Sequence, residues 1–245
     1  MGSLHKGHIS LIRKSLKECK KTIVSIFVNP TQFNDKNDYK KYPRDNKKDL
    51  LILKKLKVDF VYLPKEKHVY NTNLKYSIKL SKKDRILCAK FRKNHFEGVI
   101  NVMDRLVKLI NAKKIYMGEK DYQQLYLVKR HIEKKYRSQI ISCKTIRDKN
   151  KLALSSRNLL LKKKELINAQ KLTKNLIMFK KGLKINKHLK KLLLTKKKNL
   201  NKLYEAKIEY LELRNKINLK VTRVAKDSKL FVAYYMNKTR LIDNF

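Results

Sequence analysis

The sequence predicts an α/β fold, a doubly wound (Rossmann-like) parallel sheet followed by a small C-terminal α+β domain. Three observations predict it. Short, β-branched apolar runs at residues 22–28, 58–63, 115–117 and 140–143 read as buried parallel strands. Between them lie stretches with apolar residues at helical spacing, and such alternation is the mark of a parallel sheet. Beyond about residue 160 the texture changes: two lysine-rich helical segments lead to strand-like runs at 208–213, 230–234 and 239–242. The boundary is placed between residues 1–144 and 145–245.

The chain opens on Met1-Gly-Ser-Leu-His-Lys-Gly-His8, and Ile9, Ile12, Leu16 and Cys19 then mark one helical face. His5 and His8 therefore stand where a loop becomes a helix N-terminus, a place where free backbone N–H groups and the helix dipole favour anions. The strand at 22–28 runs into Asn29-Pro-Thr-Gln-Phe33, a turn carrying amide side chains. In an open α/β sheet ligands bind beyond the carboxyl ends of strands, so this turn is a candidate site. After a polar loop, Asp45 can cap a helix over Leu50, Leu53 and Leu56. Residues 76–80 read as a short strand, and 91–99 as a polar loop opening an amphipathic helix over Val99, Val102, Met103, Leu106, Leu109 and Ile110. Gly118-Glu-Lys-Asp121 closes the strand at 115–117 and precedes a helix through Leu125 and Val128. Past the strand at 140–143 come a loop at 147–151 and Leu152-Ala-Leu-Ser-Ser-Arg-Asn158.

With 64 Lys+Arg against 20 Asp+Glu, the net charge is +44. Such a balance invites a nucleic-acid reading. The lysines, however, are spread along the chain, Arg is not enriched, and Gly, Pro and Trp stand at 5, 3 and 0. That composition fits a drift towards A/T-rich codons, so no specific nucleic-acid partner is expected. No stretch approaches the roughly 18 unbroken apolar residues of a membrane span, so no membrane partner is expected. Three scattered cysteines (Cys19, Cys88 and Cys143) fit free thiols in a reducing cytoplasm.

Four polar turns carry the chemistry: His5/His8, Asn29/Gln32, Gly118 to Asp121, and Ser155 to Arg157. Imidazoles, amides, a lysine and a Ser-Ser-Arg trio suit a nucleoside triphosphate beside a hydroxylated acid. Together with Tyr42-Pro-Arg44, His95-Phe-Glu-Gly-Val99, Gly118-Glu-Lys-Asp-Tyr-Gln-Gln-Leu125, Leu154-Ser-Ser-Arg-Asn158 and Lys238-Thr-Arg-Leu-Ile-Asp-Asn244, these turns follow one order across nearly the whole chain. In that order and spacing the sequence resembles the pantoate–β-alanine ligase (pantothenate synthetase) family of the His-x-Gly-His nucleotidyltransferases.

The resemblance implies an AMP-forming ligation: pantoate is adenylated by ATP, and β-alanine then displaces AMP. It places ATP on Met1, Gly2, Ser3, Leu4, His5, Lys6, Gly7 and His8, on Gly118, Glu119, Lys120 and Asp121, and on Ile146, Leu154, Ser155, Ser156 and Arg157. It makes His8 the catalytic histidine, puts pantoate on Gln32 and Gln124 and β-alanine on Gln32, and sets Asp49 near a Mg²⁺ ion accompanying the triphosphate. A cytoplasmic homodimer is the expected setting. Where the family has Pro-Gly and Asp-Gly, this sequence has Lys93-Asn94 and Asn150-Lys151. The family also carries a helix and strand before the first turn, so the sheet is expected to lack its first strand. Two other readings stay open: a basic nucleic-acid-binding protein on an α/β scaffold, and a nucleotidyl- or aminoacyl-transferase of the same superfamily.

Overall fold

The computed structural model describes residues 2–33, 39–40, 42–70, 78–183 and 188–245. The chain divides into two compact units, Met1–Thr145 and Ile146–Phe245.

In the first unit, α1 (Lys6–Glu18) is followed by β1 (Ile23–Ser25), α2 (Asn46–Lys55) and β2 (Phe60–Tyr62). The short α3 (Glu66–Val69) and α4 (Cys88–Phe91) precede α5 (His95–Ile110), β3 (Lys114–Gly118), α6 (Tyr122–Lys135) and β4 (Gln139–Cys143). β1 runs parallel to β2, with Val24 opposite Val61, and β3 runs parallel to β4, with Tyr116 opposite Ile141. The parallel pairing expected from the apolar runs is present. Among the described residues, though, it takes the form of two two-stranded sheets, not one continuous sheet.

Helix α1 links the two pairs by its side chains. Ile12 is buried with Val24 and Ile26 of the β1 segment, with Leu4 and Leu53, and Leu16 packs against them. At its far end, Tyr116 of β3 donates its hydroxyl hydrogen bond to Glu18 Oε2 at 2.9 Å, and Cys19 Sγ lies 3.3 Å from the same hydroxyl. Burial and these partners push the Tyr116 phenol far above its ordinary pKa, so it stays a neutral donor.

Several boundaries differ from the sequence reading. The strand read over 22–28 is a strand only at Ile23–Ser25; the Ile26 N–H still donates to Tyr62 O at 2.9 Å, and beyond it the chain leaves the ladder for the Asn29 turn. Residues 71–77 lie outside the described residues, and 78–80, read as part of a strand, form none. α5 starts at His95, four residues before the apolar period begins, so His95, Phe96, Glu97 and Gly98 are helical and buried. Asn94 makes that early start possible. It sits in the left-handed region (φ 61°), which asparagine tolerates better than most residues.

In the second unit, a 3₁₀ turn (Ser156–Leu160) and helices α7 (Lys163–Gly182) and α8 (Leu189–Tyr204) precede β5 (Ala206–Asn215), β6 (Ser228–Met236) and β7 (Thr239–Asn244). The three strands form an antiparallel sheet in the order β5-β6-β7. Ala169, Leu172 and Leu176 of α7 bury themselves against Ile208, Leu230, Val232 and Tyr234 of this sheet. The lysine-rich segments are thus amphipathic helices over a core. Among the described residues, no helix is long and apolar enough to cross a membrane.

Candidate active site

His5 is the N-cap of α1, and the two histidines hold each other's ends of the loop. His5 Nδ1 accepts the Gly7 N–H at 3.1 Å, and His8 Nδ1 accepts the His5 N–H at 3.4 Å. Their rings lie against each other, centroids 4.1 Å apart and tilted by 33°. Because each Nδ1 accepts, each neutral imidazole carries its proton on Nε2. Burial, then the neighbouring His5 ring and the Lys120 ammonium, lower the His8 pKa to about 3. Burial and Lys120 also lower that of His5. The result is a pair of neutral N–H donors beside a cation at a helix N-terminus. That suits negative charge growing on phosphate oxygens and does not require an imidazolium.

Asp49, in the first turn of α2, anchors the loop from behind. Its Oδ2 accepts the Ser3 N–H at 2.8 Å and its Oδ1 the Leu4 N–H at 2.7 Å, and the residue is 1% exposed. Ser3 is held at φ 52°, a left-handed conformation that a serine adopts only when its surroundings hold it there. Leu4 is buried in the core beside Val24 and Ile26. Gly2 passes so close to Val28 that an added Cβ would stand 3.1 Å from its Cγ2. This gives Asp49 a task that the resemblance did not suggest. With both oxygens spent on backbone donors and no opening to solvent, it fits a Mg²⁺ ligand poorly. Among the described residues, no three His, Cys, Asp or Glu side chains gather as a protein-held metal would need. Met1 lies outside the described residues.

The Asn29–Gln32 turn is fastened by hydrogen bonds to α5 and to Tyr70. Asn29 Nδ2 donates to Gly98 O at 3.2 Å, while its Oδ1 accepts from the Thr31 N–H at 3.2 Å and the Tyr70 hydroxyl at 2.7 Å. Gly98 must be a glycine here, since a Cβ would lie 2.6 Å from the Thr31 carbonyl oxygen. Gln32 is half-buried at the end of this turn.

Gly118 to Asp121 form the turn at the end of β3, and Lys120 Nζ lies 3.4 Å from Asp121 Oδ1. Lys120 and Asp121 share one electrostatic neighbourhood with His5. One turn further on, the adjacent glutamines part company. Gln123 is buried and donates through Nε2 to Asp84 O (3.2 Å) and Ile86 O (2.8 Å), a structural role. Gln124 is half-buried, as a ligand-binding amide needs to be.

In the second unit, the Leu154 N–H donates to Ile146 O at 3.0 Å, setting those two expected nucleotide residues side by side. Ser155 Oγ accepts the Arg157 N–H at 3.2 Å and caps the 3₁₀ turn, and Ser156 is buried. The ribbon is pinned by Arg147, whose guanidinium donates to both Asp243 oxygens at 2.6 and 2.8 Å and to Asn244 O at 3.1 Å. The Lys-Thr-Arg-Leu-Ile-Asp-Asn stretch therefore serves as scaffold: Asp243 takes Arg147, and Arg240 pairs with Glu209 at 2.5 Å.

Compared with known proteins, residues 1–245 match the family model for pantoate-beta-alanine ligase. The chain is 40% identical to a pantothenate synthetase of Clostridium botulinum (strain ATCC 19397 / Type A), covering all of this chain and 88% of that protein. It is 42% identical to a pantothenate synthetase of Endomicrobium trichonymphae, covering 87% of it. Among solved structures it superposes on the Francisella tularensis pantoate-beta-alanine ligase, complexed with beta-gamma ATP and beta-alanine, with a TM-score of 0.85 at 37% identity, covering 86% of that chain. It superposes on a Thermus thermophilus pantothenate synthetase with a TM-score of 0.91 at 29% identity, covering 90% of that chain. A family match from end to end, relatives of this identity and coverage, and the His-x-Gly-His loop built as described together show that the chain belongs to the pantoate–β-alanine ligase family.

Proposed function

We propose that the chain joins pantoate to β-alanine through a pantoyl adenylate, with the His5/His8 pair at the triphosphate. In the first step a pantoate carboxylate oxygen attacks the α-phosphorus of ATP. The bond from that phosphorus to the bridging oxygen breaks, and pyrophosphate leaves with the electron pair. In the second step the neutral amine of β-alanine attacks the acyl carbon, AMP leaves, and the nitrogen sheds a proton. Both steps need two partners held in line and charge relieved on a phosphate leaving group.

The observation that carries this reading is the shared tautomer of the two histidines: two half-buried imidazoles whose Nδ1 atoms are both spent on backbone N–H groups. They can only donate from Nε2, and His8 is the catalytic candidate on the resemblance. Gly2 to Gly7 and Gly118 to Asp121 would line the nucleotide in the first unit, with Lys120 as the cation. Ile146 and Leu154 to Arg157 are assigned to ATP on the resemblance. Gln32 and Gln124 would take pantoate, and Gln32 also β-alanine, since amides match hydroxyl and carboxylate groups at fixed angles. Mg²⁺ would arrive with ATP as part of the substrate, on phosphate oxygens and water. A cytoplasmic homodimer, which rests on the resemblance alone, and a Rossmann-like winding, supported by the two parallel strand pairs, complete the proposal. The test is pyrophosphate release from ATP in the presence of D-pantoate before β-alanine is added, with His8→Ala as control.

A further inference from the structure

The carbonyl of Gln32 is gripped by two side chains that have no role in the proposed site. Arg92 Nη2 donates to Gln32 O at 3.2 Å, and His95 Nδ1 donates to the same oxygen at 2.7 Å. The third side of the triangle is Arg92 Nη1 to His95 Nε2, at 2.8 Å. A guanidinium can only donate, so His95 Nε2 must accept, and its proton is therefore on Nδ1, aimed at Gln32. His95 is 7% exposed, with Phe96 edge-on at 4.7 Å, so the ring has little room to swing. Both clamping residues flank the left-handed Asn94 corner, which fixes their relative placement.

We propose that Arg92 and His95 are positioning residues for pantoate: by locking the Gln32 backbone, they aim its side-chain amide at the acid. The inference rests on Gln32 being a pantoate ligand. Its logic is local. The Gln32 side chain makes no hydrogen bond among the described residues, so what the structure fixes is the point and direction from which it leaves the chain, and that backbone is held by two donors on one carbonyl. Gly98, pressed against Thr31, and Asn29, bonded to Gly98 O, fix the other end of the turn. The His95-Phe-Glu-Gly98 stretch is then a platform: His95 and Gly98 seat the turn, and buried Glu97 ties the platform down through Arg85 at 3.0 Å.

The test compares steady-state constants of His95→Ala, His95→Asn, Gln32→Ala and the His95→Ala/Gln32→Ala double variant. Losing a donor that orients a ligand group should raise the KM for pantoate by about tenfold in His95→Ala, with the KM for ATP within about twofold. Asn places an amide N–H near the lost Nδ1–H, so His95→Asn should recover most of that rise. In the Gln32→Ala background the His95→Ala change should add little, since there is no amide left to aim. If His95→Ala does not fold, Arg92→Ala at its half-buried position repeats the comparison. Equal rises for both substrates, no rescue by Asn, or full additivity in the double variant would overturn the positioning role. If Gln32→Ala itself leaves the pantoate KM unmoved, the pantoate assignment falls first and takes the inference with it.

Discussion

The Asp49 carboxylate holds Leu4 by its backbone, Oδ1 accepting the Leu4 N–H at 2.7 Å across 45 residues of sequence. Its second oxygen takes the Ser3 N–H, so one buried anion secures both residues that deliver the chain to His5. Asp49→Asn tests what this is worth. The amide keeps the volume but turns one acceptor into a donor facing a buried N–H, which should cost about 1–3 kcal/mol. A melting temperature lower by roughly 3–8 °C should accompany a raised KM for ATP. Added Mg²⁺ should restore neither, whereas recovery at high Mg²⁺ would return Asp49 to a metal role.

The neighbouring glutamines of α6 should separate cleanly. Gln124→Ala is expected to raise the KM for pantoate and leave melting unchanged, because its amide is half-buried and outside the core network. Gln123→Ala should do the reverse, since it strips the carbonyls of Asp84 and Ile86 of their shared donor, at about 1–3 kcal/mol. Matching profiles for the two variants would remove the distinction.

How far the sequence discloses this arrangement varies by residue. The helix over Lys6–Glu18 and the parallel strands follow from apolar period and β-branching. Strand lengths do not, because the ladder ends at the Ile26 N–H on Tyr62 O, while the apolar run continues to Val28, which lies against Gly2 and not in the ladder. The start of α5 escapes the apolar period for a related reason. His95 and Gly98 are buried against the Gln32 turn, a contact spanning 63 residues that no local pattern encodes. Asp49 could be noticed as a matching position, but not as the anchor of Ser3 and Leu4, since its partners are backbone groups without sequence identity.

Two non-glycine residues in the left-handed region supply a stability prediction. Lys151 sits at φ 74° and Asn94 at φ 61°. For lysine the left-handed region costs about 1–2 kcal/mol, partly offset in a glycine by about 0.5–1 kcal/mol of extra unfolded-state entropy. Lys151→Gly should therefore raise melting by a few degrees. Asn94→Gly should be close to neutral, because asparagine already tolerates that conformation. A scan in which Asn94→Gly gains more than Lys151→Gly would contradict this account of the two turns.

The half-buried His8 makes a signed pH prediction. His8 is neutral in the folded chain down to about pH 3, whereas its unfolded counterpart takes a proton near its ordinary pKa of 6.5. The unfolded state thus binds more protons below pH 6.5, and stability should fall as pH drops through that window. His8→Gln should flatten that loss. The rate of pantoate-dependent pyrophosphate release should show no break near pH 6.5, the ordinary histidine value, that His8→Gln removes. A break of that kind would mean that the working form is an imidazolium.

The central claim is that His8 acts at the step in which pantoate is adenylated, and pre-steady-state pyrophosphate release measures that step alone. With ATP and D-pantoate but no β-alanine, the chain should release pyrophosphate in a burst stoichiometric with active sites. His8→Ala should slow the burst by roughly two to three orders of magnitude, as expected for losing a preorganised donor at a charged transition state. Release that ignores pantoate, or a burst unchanged in His8→Ala, would contradict the account.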